Sequence, residues 1–173
     1  MLFPVRTLQA SLYPEQEIRR YKDPSIIKII KKELKYVKEK VWPWLQKLKG
    51  YGKFKWPDDI YVSDNLPQNV PAMTMFKKDW LGRIKKYLVV SKDILLYPIE
   101  LIRHALLHEG IHTSRNVPGD LISEIGIDKT LVDVYRRMGD ERTARMVEKH
   151  SGYLSKLYGL LGKILTPLTV TII

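Results

Sequence analysis

Residues 91 to 128 read SKDILLYPIELIRHALLHEGIHTSRNVPGDLISEIGID, and the pattern of this stretch decides the fold. Pro98 suits a first helical turn, and apolar residues at 99, 101, 102, 105, 106 and 107 clothe most of a helix's circumference, which predicts a central, buried helix. RNVPGD then forms a compact loop with Asp120 as an N-cap. LISEIGIDKTLVDVYRRM continues as a second helix that stops at Gly139. Asp140 can cap a third, ERTARMVEKHSGYLSKLYGLL.

Upstream the period changes. IYV at 60–62, AMTMF at 72–76 and RIKKYLVV at 83–90 are short β-prone runs, with KKDWLG as a hairpin connection between the last two. Further back, Asp23-Pro24 introduces IIKIIKKELKYVKEKVWPWLQKL, apolar at 26, 27, 30, 34, 37 and 41 with helical spacing, until Pro43 ends or kinks it. The expected class is α+β: an N-terminal helix, a small mixed or antiparallel sheet, then three helices. One domain is expected over 1–173, with an irregular lead (1–24), a basic helix (25–50), a core carrying the chemistry (60–138), a C-terminal helix (140–163) and an extended tail (164–173).

The chain has 173 residues, 45% of them hydrophobic, which is enough for one core. Cysteine is absent, so a transition metal would have to be held by histidine and carboxylate. The lack of Cys, with three Asn, four Gln and abundant Lys, leans toward a thermophilic source. Pro4 and Arg6 interrupt the apolar run that a secretory signal needs, so a cytoplasmic location is expected. Lys156, Lys163 and Pro167 break up the apolar C-terminus before it could span a bilayer.

Four histidines remain: His104, His108, His112 and His150. On a helix, His108 and His112 lie on one face within about 6 Å and can direct two ring nitrogens at one ion. Glu109 projects beside them, where it can act as general base toward water that zinc has acidified to a pKa of about 7. Catalytic zinc takes a third protein ligand. Arg115 and Pro118 occupy the nearer positions and His150 is the one later histidine, so a carboxylate is expected. Glu124, flanked by Leu121, Ile125, Leu131 and Tyr135, belongs beside a buried face, where an acid needs a cation. Asp128, one turn on, can accept the second ring N–H of a ligand histidine. His104 lies about 12 Å along the axis from His112, too far to share an ion with it, and is assigned a supporting or structural place.

At HEGIH and EIGID the chain resembles the gluzincin metallopeptidases, whose HEXXH helix is followed by a metal-binding Glu and often an Asp four residues later. The likeness covers roughly residues 60 to 138 and is nearest to the minigluzincins, minimal gluzincins of thermophilic prokaryotes similar to the catalytic domains of CAAX-protease-like membrane enzymes. It implies a zincin-like fold, one Zn2+ per chain on His108, His112 and Glu124, Glu109 as base, and a polypeptide substrate. It also implies that Ala72, Met73, Thr74, Met75 and Phe76 border the cleft as an edge strand. An oxyanion-stabilising residue is expected downstream among Tyr135, Arg145, His150 and Tyr153. The 11 residues between His112 and Glu124 are fewer than in thermolysin-like members, which bears on the lower half of the cleft. Latency through the C-terminal segment is a further implication, since ILTPLTVTII could add to the edge strand and exclude substrate.

The charge supports another reading. Of the formal +11, residues 1 to 60 carry +7, from 14 Lys and Arg against 7 acids. A basic nucleic-acid or replicon-associated binding protein with a structural or vestigial metal site would use that region. Lys31, Lys32, Lys35 and Lys38 would then face a nucleic acid or an acidic membrane surface.

Overall fold

The computed structural model describes residues 17 to 117 and 119 to 154. Helix α1 spans Pro24–Lys40, with the Asp23 carboxylate accepting from the Ser25 and Ile26 amides and Pro24 at the first turn. It buries Ile27, Ile30, Leu34 and Val37. The basic helix expected over 25–50 divides at Val41, because Pro43 has no N–H to give to the carbonyl of Glu39. Helix α2, Trp42–Lys49, follows and ends at Gly50, whose φ of 69° is left-handed.

Strands β1 (Asp59–Ser63), β2 (Ala72–Lys78) and β3 (Ile84–Ser91) form a mixed sheet in the order β1-β3-β2. β1 runs parallel to β3 and β2 antiparallel to it. Tyr21 bridges Val62 from the lead, so the outer side of β1 is partly paired, whereas β2 forms the opposite edge among the described residues.

A 3₁₀ turn at Ile94–Leu96 leads into α3 (Ile99–Arg115), α4 (Leu121–Arg137) and α5 (Glu141–His150). Asp120 and Asp140 cap α4 and α5 through the Ser123 and Thr143 amides. The C-terminal helix expected over 140–163 is broken: α5 ends at His150, Ser151 is extended, and residues 152–154 begin a new helical turn. The tail at 164–173 lies outside the described residues, as does the lead before Glu17.

Two apolar clusters explain why α3 is apolar nearly all round. Ile102 and Leu106 pack with Ile30 and Leu34 of α1 and with Ile60, Leu88 and Val90 of the sheet. Leu107 and Ile111 face the other way, against Leu45, Leu131, Val134 and Val147 of α2, α4 and α5. The fold is α+β, with five α-helices and a three-stranded mixed sheet among the described residues. No helix among the described residues is long and apolar enough to cross a membrane.

Candidate metal centre

Helix α3 carries His108, Glu109 and His112, and each is buried because the helix lies between two cores. Its C-terminal end is held by Asn116, in left-handed conformation, and by Lys86 of β3, whose ammonium donates to the carbonyl of Thr113 at 2.7 Å. Helix α4 places Glu124 and Asp128 against this face, both buried.

The structure brings together His108, His112 and Glu124, whose donor atoms all lie within 4.8 Å of one another. His112 Nε2 stands 2.8 Å from Glu124 Oε1, and His108 Nε2 is in close contact with Glu124 Oε2. The second nitrogen of each ring is engaged elsewhere. His108 Nδ1 donates to Asp128 Oδ1 at 2.6 Å, and His112 Nδ1 donates to the Val117 carbonyl at 2.9 Å. With protons on Nδ1, neutral rings would turn bare Nε2 lone pairs toward a carboxylate, so this contact calls for either a second proton on the rings or a metal ion between them. His112 Nε2 is buried and makes no hydrogen bond in spite of its neighbour at 2.8 Å. Two imidazoles and a carboxylate with one orphaned buried nitrogen fit a zinc donor set.

The electrostatics express the same demand. Burial disfavours a charged His108, but Asp128 and Glu124 overcome it and hold its pKa well above the ordinary value. His112 is raised in the same way, its burial outweighed by the Glu124 oxygen and the Glu109 charge. Burial works to raise the Glu124 carboxyl, yet the positive charge of His108 and the approach of His112 pull it down to about 2. Asp128 also falls well below the carboxylate range, as His104 and His108 outweigh its burial. Glu109 goes the other way: burial raises its pKa, only partly offset by the charges of His112 and His108.

Asp128 is the hub of the surrounding network. Its Oδ1 also accepts from His104 Nε2 at 2.9 Å, which leaves His104 Nδ1 to accept from the Tyr135 hydroxyl at 2.9 Å. Its Oδ2 accepts from the Ser151 hydroxyl at 2.5 Å. His104 is thus in contact with Asp128 and not with His112, as its helical offset requires.

Glu109 is buried against β2, where Thr74 Oγ1 donates to its carboxylate at 2.5 Å. Of Ala72, Met73, Thr74, Met75 and Phe76, the first three are buried and Thr74 hydrogen-bonds to the motif. The four oxyanion candidates separate. The Tyr153 ring stacks on His108, with centroids 5.5 Å apart and planes 16° from parallel. Tyr135 is turned to His104, Arg145 pairs with Glu141 on the exposed face of α5, and His150 is exposed.

Lys31, Lys32 and Lys35 line an open groove of about 580 Å³ with Trp56, and the Lys38 ammonium lies 5.5 Å from the Trp56 ring centroid. Sequence reasoning missed Ser151, the Val117 carbonyl and the Thr74–Glu109 bond. Each comes from a segment brought to α3 by tertiary packing, with no local spacing to announce it. Set against protein-family models, curated proteins and solved structures, the chain matches none of them, so the reading of this centre rests on its own residues.

Proposed function

We propose that the chain is a zinc-dependent metallopeptidase of the gluzincin kind, with a zincin-like arrangement of α3, α4 and the edge strand β2. The observation that carries this reading is the convergence of His108 Nε2, His112 Nε2 and the Glu124 carboxylate at one buried point, with both Nδ1 atoms already committed. These three residues would hold one zinc ion per chain. When bound, zinc supplies Lewis-acid polarisation and makes water acidic enough to act as a nucleophile at neutral pH.

Glu109 takes the proton of the attacking water and returns it to the departing amine nitrogen, work for which a carboxyl raised by burial is suited. Thr74 fixes the side chain that makes this transfer. Asp128 holds the His108 ring in one tautomer, and Val117 does so for His112. An extended polypeptide would add to the outer edge of β2. Tyr153, beside His108, is the best placed of the candidates for a developing oxyanion. Latency through residues 164–173 belongs to the same proposal.

The test is elemental analysis of the purified protein and three variants, together with hydrolysis of an unstructured polypeptide. One zinc per chain is expected in the parent and in Glu109→Gln, and much less in His108→Ala and Glu124→Ala. Hydrolysis should vanish in Glu109→Gln. Undiminished zinc in both ligand variants, or parental hydrolysis by Glu109→Gln, overturns the reading.

A second reading is favoured by the groove beside Trp56. Three lysines of α1 and a half-exposed indole, in a groove that Asp58 and Asp59 also line, suit the phosphates and bases of a single-stranded nucleic acid. Salt-sensitive binding lost in Lys31→Glu/Lys35→Glu would support it, and an affinity unchanged by that reversal would remove it.

A further inference from the structure

The hairpin joining β2 to β3 ends in a tip that is apolar, exposed and held in shape. Trp80 is 90% exposed, Leu81 55% and Ile84 61%, although burying such side chains is ordinarily what a fold gains most from. The tip is nonetheless well ordered by its own bonds. The Asp79 carboxylate accepts from the Leu81 and Arg83 amides at 2.9 and 2.8 Å and from the Arg83 guanidinium at 2.8 Å. Asp79 N donates to the Arg83 carbonyl at 2.8 Å, and Gly82 adopts a φ of 82° that favours glycine. These bonds fix the turn and leave the indole and the leucine pointing away from the domain.

The strands just behind the tip are basic. Lys77 lies directly across from Lys85 in the antiparallel register, a like-charge pair that costs stability in a sheet. Lys78 and Arg83 stand beside them, and the one acid of the turn, Asp79, is already paired with Arg83. Among the described residues Lys77, Lys78 and Lys85 make no ion pair. An anionic surface would relieve this repulsion.

We propose that this hairpin tip docks on an anionic lipid bilayer, with Trp80 and Leu81 entering the interfacial layer and Lys77, Lys78, Arg83 and Lys85 meeting the headgroups. The tip is a convex wedge, for which a protein partner would have to supply a matching pocket, whereas a bilayer accepts any wedge with an amphipathic aromatic at its point. The charges stand one strand-turn behind the apolar point, as headgroups stand behind the acyl boundary. Thr74, against Glu109, lies four residues up the same strand from Lys78, about 13 Å at the rise of a β-strand. Docking would therefore hold the cleft side of the domain close to the lipid. The inference does not depend on the metal reading.

The test is co-sedimentation of the full chain with vesicles of phosphatidylcholine alone and of phosphatidylcholine with phosphatidylserine, at low and high salt. The parent should sediment with the anionic vesicles only, and salt should weaken it. Trp80→Ser/Leu81→Ser should lower the partition at least about tenfold, and Lys77→Glu/Lys85→Glu should lower it too. Both variants should keep the parental thermal transition, because Trp80 and Leu81 are exposed and the double reversal at the half-buried Lys77 and Lys85 exchanges one like-charge pair for another. Failure of the parent to bind overturns the proposal. Equal binding by the serine variant also overturns it and moves the lipid contact to the lysines of α1. A parent that is dimeric and becomes monomeric in the serine variant would make the tip a contact between copies of the chain and would overturn it as well.

Discussion

Thr74 on the sheet edge donates to the Glu109 carboxylate at 2.5 Å, so the strand proposed to receive substrate also holds the side chain proposed to move the proton. Thr74→Val keeps the shape and removes the donor. The expected result is a fall in kcat on the order of tenfold, with zinc content and thermal transition unchanged, since Glu109 would lose its fixed position and not its identity. A parental kcat would show that Thr74 is packing alone.

Asp128 accepts from His104, His108 and Ser151 at once. Asp128→Asn would keep one oxygen for the two ring N–H groups but remove the charge that strengthens both bonds, and would turn its amide toward the Ser151 hydroxyl. Zinc affinity measured by chelator competition should drop by about 10- to 100-fold. His104→Phe should give a smaller loss, because the His108 bond to Asp128 remains. Equal losses in the two variants would mean that the network acts through packing and not through the His108 ring.

The metal-free protein, prepared with a chelator, should have its own pH dependence. His108 and His112 are raised above their ordinary 6.5, so their contribution is present below that value and is lost as pH rises through the raised values. Glu109, raised above 4.5, adds to the fall on that side. Glu124 is lowered from 4.5 to about 2, so its contribution is present above 4.5 and is lost as pH falls toward about 2. Thermal melts should therefore show a maximum for the metal-free protein between these limits. Zinc should remove the decline on the alkaline side, where it replaces the protons. Parallel melting profiles with and without zinc would contradict the ligand assignment.

Helix α1 is tied to the motif helix by Glu33, nearly buried, whose Oε2 lies 2.7 Å from Arg103 Nε. The Arg103 guanidinium also covers the Tyr36 ring at 3.6 Å. Glu33→Ala would leave that guanidinium partly buried without its counter-ion, at a cost of about 2 kcal/mol in urea unfolding. Glu33→Ala combined with Arg103→Ala should cost less than the two single changes added together. Simple additivity would mean that the pair contributes nothing as a pair.

Much of the fold was legible because local signals and tertiary demands agreed. Asp23-Pro24, Asp120 and Asp140 all start helices where their cap chemistry says, and the three β-prone runs are the three strands. The grouping of the candidate side chains was legible for the same reason, since helical spacing alone puts His108 with His112 and Glu124 with Asp128. Two elements differed. Pro43 was read as the breaking point, yet the helix parts at Val41, where the missing N–H is felt two residues earlier. Ser151 looked like one more position in an amphipathic helix, but its hydroxyl is drawn to Asp128, and the backbone there leaves the helix. Side chains that bond across the fold carry no periodic trace, which is also why Thr74 could be placed on an edge and not against Glu109.

The position of α3 between two apolar clusters has a consequence for the order of events in folding. Leu106 belongs to the cluster closed by α1 and the sheet, and Leu107 and Ile111 to the one closed by α2, α4 and α5. A chain in which only the first cluster had formed would present His108 and His112 without Glu124, because α4 belongs to the second. Two imidazoles on one helix bind metal weakly and exchange it readily, so tight capture awaits the arrival of α4. Under the proposed ligand set, metal uptake would report the docking of α4 on α3, and the ion would act as a latch on an assembled structure and not as its nucleus.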